Sequence, residues 1–312
     1  MTGVAAPARD ALPRFRRVID LDEALGLLAQ GGWTPLAGGT DFYPTRVGRP
    51  VRESLLDLGG IEALRRFERT LDGEGRPVLR IGAATTWSQI VRGALDPQLV
   101  ALQQAAREIG GVQVQNAATV GGNLCNASPA ADGVPALLAL DARVELASVR
   151  GRRRLAVDEF VLGNRHTALA PDELLVAIEI PVPSPRARSG FLKLGHRRSL
   201  VISTAMVAVA VEFGADERLE RCAIAVGACS AAAVRLRALE SRLMRTPREA
   251  VARRFDALLD DETLAPLRPI DDVRATAAYR RHAAIELARR LVAELTSPGE
   301  ARGRRIEDGV TG

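Results

Sequence analysis

Two short glycine loops stand out in this sequence: Ala37-Gly38-Gly39-Thr40-Asp41 and Thr119-Val120-Gly121-Gly122-Asn123. The second continues into Asn126-Ala127-Ser128-Pro129-Ala130-Ala131-Asp132. Consecutive glycines allow backbone N–H groups to converge on an anion, because no Cβ atom blocks the approach. Either loop alone also fits an ordinary tight turn. Together, two such loops far apart in the chain predict two walls of one site that holds a diphosphate.

The common nucleotide-binding motifs are missing from the sequence. It has no G-x-x-x-x-G-K-S/T run, which argues against a P-loop. It also has no G-x-G-x-x-G turn between a strand and a helix, which argues against a Rossmann fold. A diphosphate site built from the two glycine loops therefore requires a different fold.

The order of the two loops, with Asn-Ala-Ser-Pro-Ala-Ala-Asp at 126–132, resembles the FAD-binding medium subunit of the molybdenum hydroxylase family. That family includes xanthine dehydrogenase, bacterial carbon monoxide dehydrogenase and 4-hydroxybenzoyl-CoA reductase. The resemblance runs from about residue 15 to about residue 296. It implies FAD as the cofactor, lying between a PCMH-type FAD-binding domain and a smaller C-terminal domain. It places molybdopterin and 2Fe–2S clusters only on the large and small partner subunits.

The composition is typical of a soluble globular protein. The chain has 312 residues, of which 47% are apolar and 26% are charged. No apolar run approaches a membrane span, and Asp20, Asp22 and Glu23 stand where the apolar part of an export signal would lie. We therefore expect a cytoplasmic protein. The net charge of +5 comes from dispersed basic residues, which gives nucleic-acid binding little support.

The cysteines and histidines form no recognisable ligand set or catalytic signature. Cys125, Cys222 and Cys229 have neither C-x-x-C spacing nor a histidine pair nearby. This argues against an iron–sulfur cluster or a structural zinc on this chain, and it predicts three buried or half-buried thiols. The three histidines lie far apart in the sequence, with no Ser–His–Asp or Cys–His pattern.

Lys193 is the sole lysine among 43 basic residues, the other 42 being arginine. A lysine ammonium is a compact charge with rotatable donors, whereas a guanidinium is planar. Composition alone allows both a chance remnant on a solvated strand and a residue that a site requires. The resemblance favours the site, because family members place an FAD-contacting lysine at this position. Near the N1/C2 edge of a flavin, its charge would stabilise the reduced form.

Local patterns predict the order of helices and strands. Asp20 is a candidate N-cap for a helix that Gly31 ends, and Thr86 is a candidate N-cap for a helix through Leu95. Further helices are predicted over residues 97–109, 232–243, 247–259 and 273–295. Strands are predicted over residues 33–36, 54–58, 78–84, 143–146, 153–157, 174–180, 190–194, 203–213 and 221–228.

These elements predict an α+β protein of two domains. Residues 1–182 form a mixed α/β domain in two parts, which carries both glycine loops and which the resemblance identifies as PCMH-type. A Pro- and Ser-rich linker follows, starting at Pro181. Residues 183–297 form a smaller three-stranded antiparallel sheet with a helical bundle. Residues 298–312 are polar and rich in Gly and Arg, and we expect a disordered tail.

The resemblance also implies individual FAD contacts, because both loops line the diphosphate and the adjoining sugar in the family. Backbone N–H groups would neutralise phosphate oxygens, while threonine and asparagine side chains would fix the register. Carried over to this sequence, the contacts are Leu36, Ala37, Gly38, Gly39, Thr40, Asp41, Thr119, Val120, Gly121, Gly122 and Asn123.

Three positions outside the loops carry two interpretations each. Asp132 precedes an apolar helix start and fits an N-cap, while the family places it against polar atoms of the flavin ring or ribityl chain. Both roles can hold together. Leu175 matches an apolar family position against the isoalloxazine ring, and plain core packing explains it equally well. Ile109 matches another such position.

One segment departs from the family pattern. Many relatives continue the Lys-x-x-x-Arg-Arg segment with an Ala-Leu-Asp-Ile-Ala type run, and here Val201 stands in place of the aspartate. The change predicts that Arg197 or Arg198 lacks its expected carboxylate partner.

The sequence therefore predicts an electron-transfer flavin subunit that catalyses no substrate chemistry through its own side chains. Electrons would pass from 2Fe–2S clusters on the small partner subunit to FAD and on to NAD, a quinone or another acceptor. A self-contained FAD oxidase or dehydrogenase acting on a small molecule is the alternative from another enzyme class. A flavin-free assembly scaffold is the non-enzymatic alternative, and the intact glycine loops argue against it.

Overall fold

The computed structural model of the chain describes residues 13–197 and 201–297, and it begins with a parallel sheet in the order β1-β3-β2. Its elements are β1 (Phe15–Arg17), α1 (Leu21–Gln30), β2 (Trp33–Leu36) and β3 (Ser54–Asp57). The Asp20 carboxylate accepts a hydrogen bond from Glu23 N at 2.8 Å and caps α1, as the sequence predicts. Gly31 ends the helix with a φ of 78°, a conformation that favours glycine.

A five-stranded antiparallel sheet forms the second part of the N-terminal domain, in the order β4-β5-β10-β6-β7. Its strands are β4 (Phe67–Leu71), β5 (Pro77–Gly82), β6 (Arg143–Ser148), β7 (Gly151–Ala156) and β10 (Leu174–Pro181). A two-stranded ribbon, β8 (Val161–Gly163) and β9 (His166–Thr167), lies between β7 and β10 in the chain. The two sheets account for the two-part mixed domain that the sequence predicts.

Six short helices belong to the N-terminal domain between β5 and β8. They are α2 (Trp87–Arg92), α3 (Val100–Glu108), α4 (Val112–Ala117), α5 (Val120–Asn126), α6 (Gly133–Ala139) and α7 (Val157–Phe160). Thr86 caps α2 with a capping box, as predicted, but α2 ends at Arg92 rather than Leu95. The predictions missed α4, α5 and the four-residue α7. At α4 and α5 the reason is that glycine and β-branched residues have poor intrinsic helix propensity, which tertiary packing overrides.

The C-terminal domain is an antiparallel sheet with helices on one face, as predicted. Its elements are β11 (Arg188–Leu194), β12 (Ala205–Phe213), β13 (Leu219–Gly227), β14 (Val234–Arg235), α8 (Arg237–Leu243), α9 (Val251–Ala257) and α10 (Ala277–Thr296). To the three predicted strands the structure adds β14, a two-residue edge strand. It occupies the start of the segment predicted as helix 232–243.

Strand β12 is buried on both faces and joins the two domains. Met206, Ala208 and Ala210 belong to the core that includes the N-terminal helices. The alternate residues, among them Val207 and Val209, pack in a second core with α10. Successive side chains of a strand point to opposite faces, so one strand can serve both cores. The Cβ-free Gly190 of β11 also lies close to α10, because a Cβ there would be 2.8 Å from Leu291 Cδ2.

One prediction concerns residues outside the described part of the chain, and the prediction for the three cysteines is only partly confirmed. The disordered tail predicted for residues 298–312 lies outside them. Of the three thiols predicted to be buried or half-buried, Cys222 and Cys229 are buried, and burial raises the pKa of each to about 12. Cys125 is exposed, so that prediction was wrong for this residue. Across residues 13–197 and 201–297, no helix is long and apolar enough to cross a membrane.

Candidate functional site

The first glycine loop follows β2 and carries a row of backbone donors. Gly39 has a φ of 68°, and its carbonyl accepts a hydrogen bond from Tyr43 N at 3.1 Å, which closes the turn. Among the described residues, the N–H groups of residues 37–41 donate to no acceptor. A run of N–H groups around a positive-φ residue is the geometry of an anion-binding nest.

The second glycine run is the start of helix α5 rather than a loop, and four of its five backbone N–H groups donate to acceptors within the protein. Val120 N donates to Thr85 O and Gly121 N to Ala83 O, both at 2.9 Å. Gly122 N donates to Thr119 Oγ1 and Asn123 N to Thr119 O, both at 3.0 Å. The N–H groups of Val120 to Asn123 are therefore engaged by Thr119 and by the carbonyls of Ala83 and Thr85, which follow β5, and contact of the second run with the phosphates stays a prediction.

The two glycine runs lie side by side. A Cβ at Gly38 would overlap the Ala117 carbonyl and lie 2.6 Å from its carbon atom, so the first loop rests directly on the backbone that leads into Thr119. A Cβ at Gly121 would lie 2.7 Å from Ala83 O. Glycine at these two positions thus permits close backbone contact, and the close contact at Gly38 brings the free donors of the first loop next to α5.

Thr119 is the N-cap of α5, and removing its hydroxyl tests how much this cap contributes to the stability of the chain. We expect Thr119→Val to lower the free energy of unfolding by about 1 kcal/mol, because Gly122 N loses its side-chain acceptor. Thr119→Ser keeps the hydroxyl and is the matched control, with stability close to that of the parent chain. Urea unfolding followed by circular dichroism measures both. Equal losses in the two variants would contradict the capping role.

Lys193 and Asp132 form a buried ion pair at the junction of the two domains. Lys193 Nζ lies 2.7 Å from Asp132 Oδ2 and donates to Glu108 O at 3.0 Å. The two side chains are only 5% and 9% exposed. Ser203 Oγ donates to the other carboxylate oxygen, Asp132 Oδ1. The sequence predictions treated Lys193 and Asp132 separately, and the structure shows that they contact each other.

Burial raises the pKa of the Asp132 carboxyl, and the Lys193 ammonium and the Ser203 hydroxyl both oppose that rise. The carboxylate does not cap α6: Asp132 sits at the N-cap position, but its side chain makes no capping hydrogen bond. The predicted capping role was therefore wrong. The Asp132 carboxylate binds Lys193 instead, because β11 brings the ammonium within hydrogen-bonding distance and a charged donor is a stronger partner than a neutral N–H group.

A cavity of about 390 Å³ opens beside this ion pair, lined by Glu108, Lys193, Leu194, Gly195 and Arg197. Lys193 contributes two of its three ammonium donors to Asp132 and Glu108, which leaves one donor for other partners. The Lys193 ammonium, with Asp132 as its counter-charge, is thus fixed at the edge of a cavity between the domains.

The two predicted apolar positions lie in one hydrophobic core. Leu175 belongs to β10, next to a β-bulge. Ile109 directly follows α3 and is the neighbour of Glu108, whose carbonyl accepts a hydrogen bond from Lys193. Both side chains are buried in the core that the N-terminal helices share with β12. Leu36, at the end of β2, is buried in the structure as well. Contact of Leu175 and Ile109 with a flavin ring stays a prediction.

Val201, the residue that departs from the family pattern, lies against Gly195, which follows β11. Val201 Cγ1 would lie 2.5 Å from a Cβ at Gly195, so the valine side chain covers this glycine. Arg197 has an interaction partner, and the expectation that Arg197 or Arg198 lacks a carboxylate partner stays a prediction. Arg198 lies outside the described residues.

The sequence predictions missed two partners of the ion pair. Glu108 takes part through its backbone carbonyl, which any residue could supply, so no sequence signal exists for it. Ser203 takes part through its hydroxyl. The signal for it was available, because this serine stands where the family run ends in alanine.

Two protein-family models, one for each domain, together match most of the chain. Residues 13–183 match the family described as FAD binding domain in molybdopterin dehydrogenase. Residues 191–295 match the CO dehydrogenase flavoprotein C-terminal domain. The first match contains both glycine runs and Asp132, and the second contains Lys193.

Individual relatives align over almost their whole length. A putative xanthine dehydrogenase FAD-binding subunit of Escherichia coli K12 is 30% identical over 90% of this chain and 94% of its own. The nicotine 6-hydroxylase medium subunit of Paenarthrobacter nicotinovorans is 31% identical over 90% and 96%. In structure, a chain of the reconstituted CO dehydrogenase from Oligotropha carboxidovorans superposes with a TM-score of 0.80, at 27% identity over 92% and 98%.

Proposed function

Because this chain belongs to the FAD-binding medium subunits of the molybdenum hydroxylase family, we propose that it relays electrons between partner subunits and an external acceptor. It is an FAD-dependent oxidoreductase subunit of this family. In the proposed relay, substrate is oxidised at a molybdopterin site on a large partner subunit, and 2Fe–2S clusters on a small one pass the electrons here. NAD or a quinone receives them. We place the complex in the cytoplasm.

The row of free backbone donors in the first glycine loop is the observation that carries this proposal. The N–H groups of residues 37–41 have no acceptor among the described residues, and an FAD diphosphate supplies the anionic oxygens that such donors require. Thr40 lies in the same loop, and its hydroxyl would add a side-chain donor. The chain's own groups therefore fit the diphosphate of FAD.

The second glycine run has a different part in the proposed site. In this run the N–H groups of Val120 to Asn123 are engaged inside the protein, so the run would contribute to the site mainly through its side chains. Asn123 Oδ1 is buried and has no hydrogen-bond partner among the described residues. A buried amide oxygen without a partner is costly, and sites that bind ligands are where such groups persist. The second run would therefore line the site beside the N–H groups of residues 37–41 and offer the Asn123 amide to the cofactor.

Lys193 and Asp132 are proposed to hold the ring end of the cofactor. When bound, FAD supplies reversible redox chemistry, and the protein tunes it through the charges and hydrogen bonds around the ring. Lys193 has one donor left after serving Asp132 and Glu108, and it holds a positive charge in a buried place. A positive charge there favours the addition of electrons to a neighbouring group. Leu175 and Ile109 would exclude water from the same region.

Flavin content of the purified full-length chain is the direct test. We expect one FAD per chain after reconstitution, identified by absorbance and by chromatography of the released flavin. Bleaching of the flavin band by NADH would assign a nicotinamide acceptor, and bleaching by a reduced quinone would assign a quinone. Failure to bind FAD, even in excess, would contradict the proposal. Full hydroxylase activity from this polypeptide alone would contradict the division of labour between subunits.

A further inference from the structure

Ser203 lies just before β12 and is buried, with 1% of its surface exposed. Its hydroxyl donates to Asp132 Oδ1, while Lys193 Nζ donates to Asp132 Oδ2 at 2.7 Å. We propose that Ser203 is a positioning residue of the flavin site, which holds the Asp132 carboxylate in the orientation that fixes the Lys193 ammonium at the cavity. The flavin part of this inference rests on the proposed function, whereas the hydrogen-bond network stands on the geometry alone.

The Asp132 carboxylate depends on these two donors. Within residues 13–197 and 201–297, Lys193 and Ser203 are its hydrogen-bond donors, one for each oxygen. It makes no capping bond to α6 that could replace either of them. A buried carboxylate oxygen that loses its donor bears the full cost of desolvation. Without Ser203, one oxygen of Asp132 would therefore be buried with no partner.

The orientation of Asp132 sets the position of the Lys193 ammonium. A carboxylate held at one oxygen only can rotate about its Cβ–Cγ bond, whereas a carboxylate held at both oxygens cannot. The other fixed partner of Lys193 is the Glu108 carbonyl at 3.0 Å, a neutral acceptor. The other charged side chains that line the adjoining cavity are Glu108 and Arg197. Ser203 thus acts on the cavity through Asp132 and Lys193 and not by facing it.

The single lysine makes this network measurable in the full-length chain without any cofactor. Lysine labelled with carbon-13 at Cε gives one protein signal, because the sequence has no other lysine. In acid, that signal shifts when the neighbouring Asp132 carboxyl takes up a proton. Asp132→Asn removes this transition and so assigns it. For Ser203→Ala we expect the midpoint to move up by about one pH unit, a tenfold rise in proton affinity, because a donor to the ionised form is lost.

Thr204 provides the matched control. It is the next residue along the chain and is buried to a similar degree, and the hydrogen bonds described for it run through its backbone, from Thr204 N to Leu194 O and from Arg280 Nη1 to Thr204 O. Thr204→Val should leave the midpoint unchanged, and Ser203→Thr, which keeps the hydroxyl, should restore it. If Ser203→Ala does not fold, Ser203→Cys, with a weak donor of similar size, carries the same expectation. An unchanged midpoint in the variant that lacks the hydroxyl would overturn the proposal.

The cofactor readout is separate from the network readout. In the reconstituted chain, Ser203→Ala should weaken FAD binding about tenfold and make the flavin harder to reduce, while Thr204→Val should change neither property. If the parent chain binds no FAD but the midpoint moves as expected, the proposed function fails and the network stands. If the midpoint moves and FAD affinity and potential do not, the positioning role at the flavin is overturned.

Discussion

Lys193→Met is expected to lower the free energy of unfolding by about 3–5 kcal/mol at neutral pH, the usual cost of removing one partner of a buried ion pair. The methionine fills a similar volume but leaves Asp132 with Ser203 as its one described donor. Urea unfolding at pH 7 measures the loss. FAD affinity is expected to fall with it, because the free donor of the ammonium disappears.

The stability loss of Lys193→Met should depend on pH with a definite sign. Burial raises the pKa of Asp132, and the variant no longer has the ammonium that opposed this rise. A carboxyl whose folded pKa lies above its unfolded value binds protons better when folded, so its contribution is lost as the pH rises. The deficit should therefore be smallest near pH 4–5 and grow towards neutral pH. A deficit that shrank with rising pH would contradict this account.

Two further variants separate charge from packing. In Lys193→Met with Asp132→Asn, both charges are gone, and we expect most of the lost stability to return. Lys193→Arg keeps the charge but replaces a point donor by a planar fork that does not match the positions of Asp132 and Glu108. Unchanged FAD affinity and flavin potential in Lys193→Arg would mean that the solitary lysine is a chance remnant.

Gly38→Ala is expected to weaken FAD binding by about tenfold to a hundredfold and to destabilise the fold by about 1–3 kcal/mol. The added Cβ would overlap the Ala117 carbonyl, which belongs to the backbone and cannot rotate away. The first loop would have to move off α4 and α5, and its free donors would move with it. FAD titration by fluorescence and urea unfolding measure the two effects.

Gly26→Ala is the matched control for this prediction. Gly26 lies inside α1, and nothing is within 4 Å of the position that a Cβ would take. The same substitution should therefore stabilise the chain by about 0.5–1 kcal/mol and leave FAD binding unchanged. Equal changes in FAD affinity and in the free energy of unfolding for Gly38→Ala and Gly26→Ala would contradict the importance of the close contact at Gly38.

Local patterns were sufficient for most elements of the fold. The capping of α1 by Asp20 and of α2 by Thr86 depends on residues within one helical turn, so the sequence contains all the information needed. The long apolar runs of β12 and β13 were identified for a similar reason. The predictions failed at α4 and α5, where poor helix formers adopt a helix because the backbone packs against neighbouring elements.

The sequence by itself determined the two glycine runs, the unusual lysine and the two-part α+β architecture, since these follow from residue types and short-range spacing. Tertiary structure alone decided that Gly38 rests on Ala117 and that Lys193 contacts Asp132, 61 positions away in the chain. It also decided that the N–H groups of Val120 to Asn123 are engaged inside the protein, while those of residues 37–41 have no acceptor among the described residues. Hydrogen-bond partners and buried charges depend on which distant segments meet, and residue types along one chain do not encode that directly.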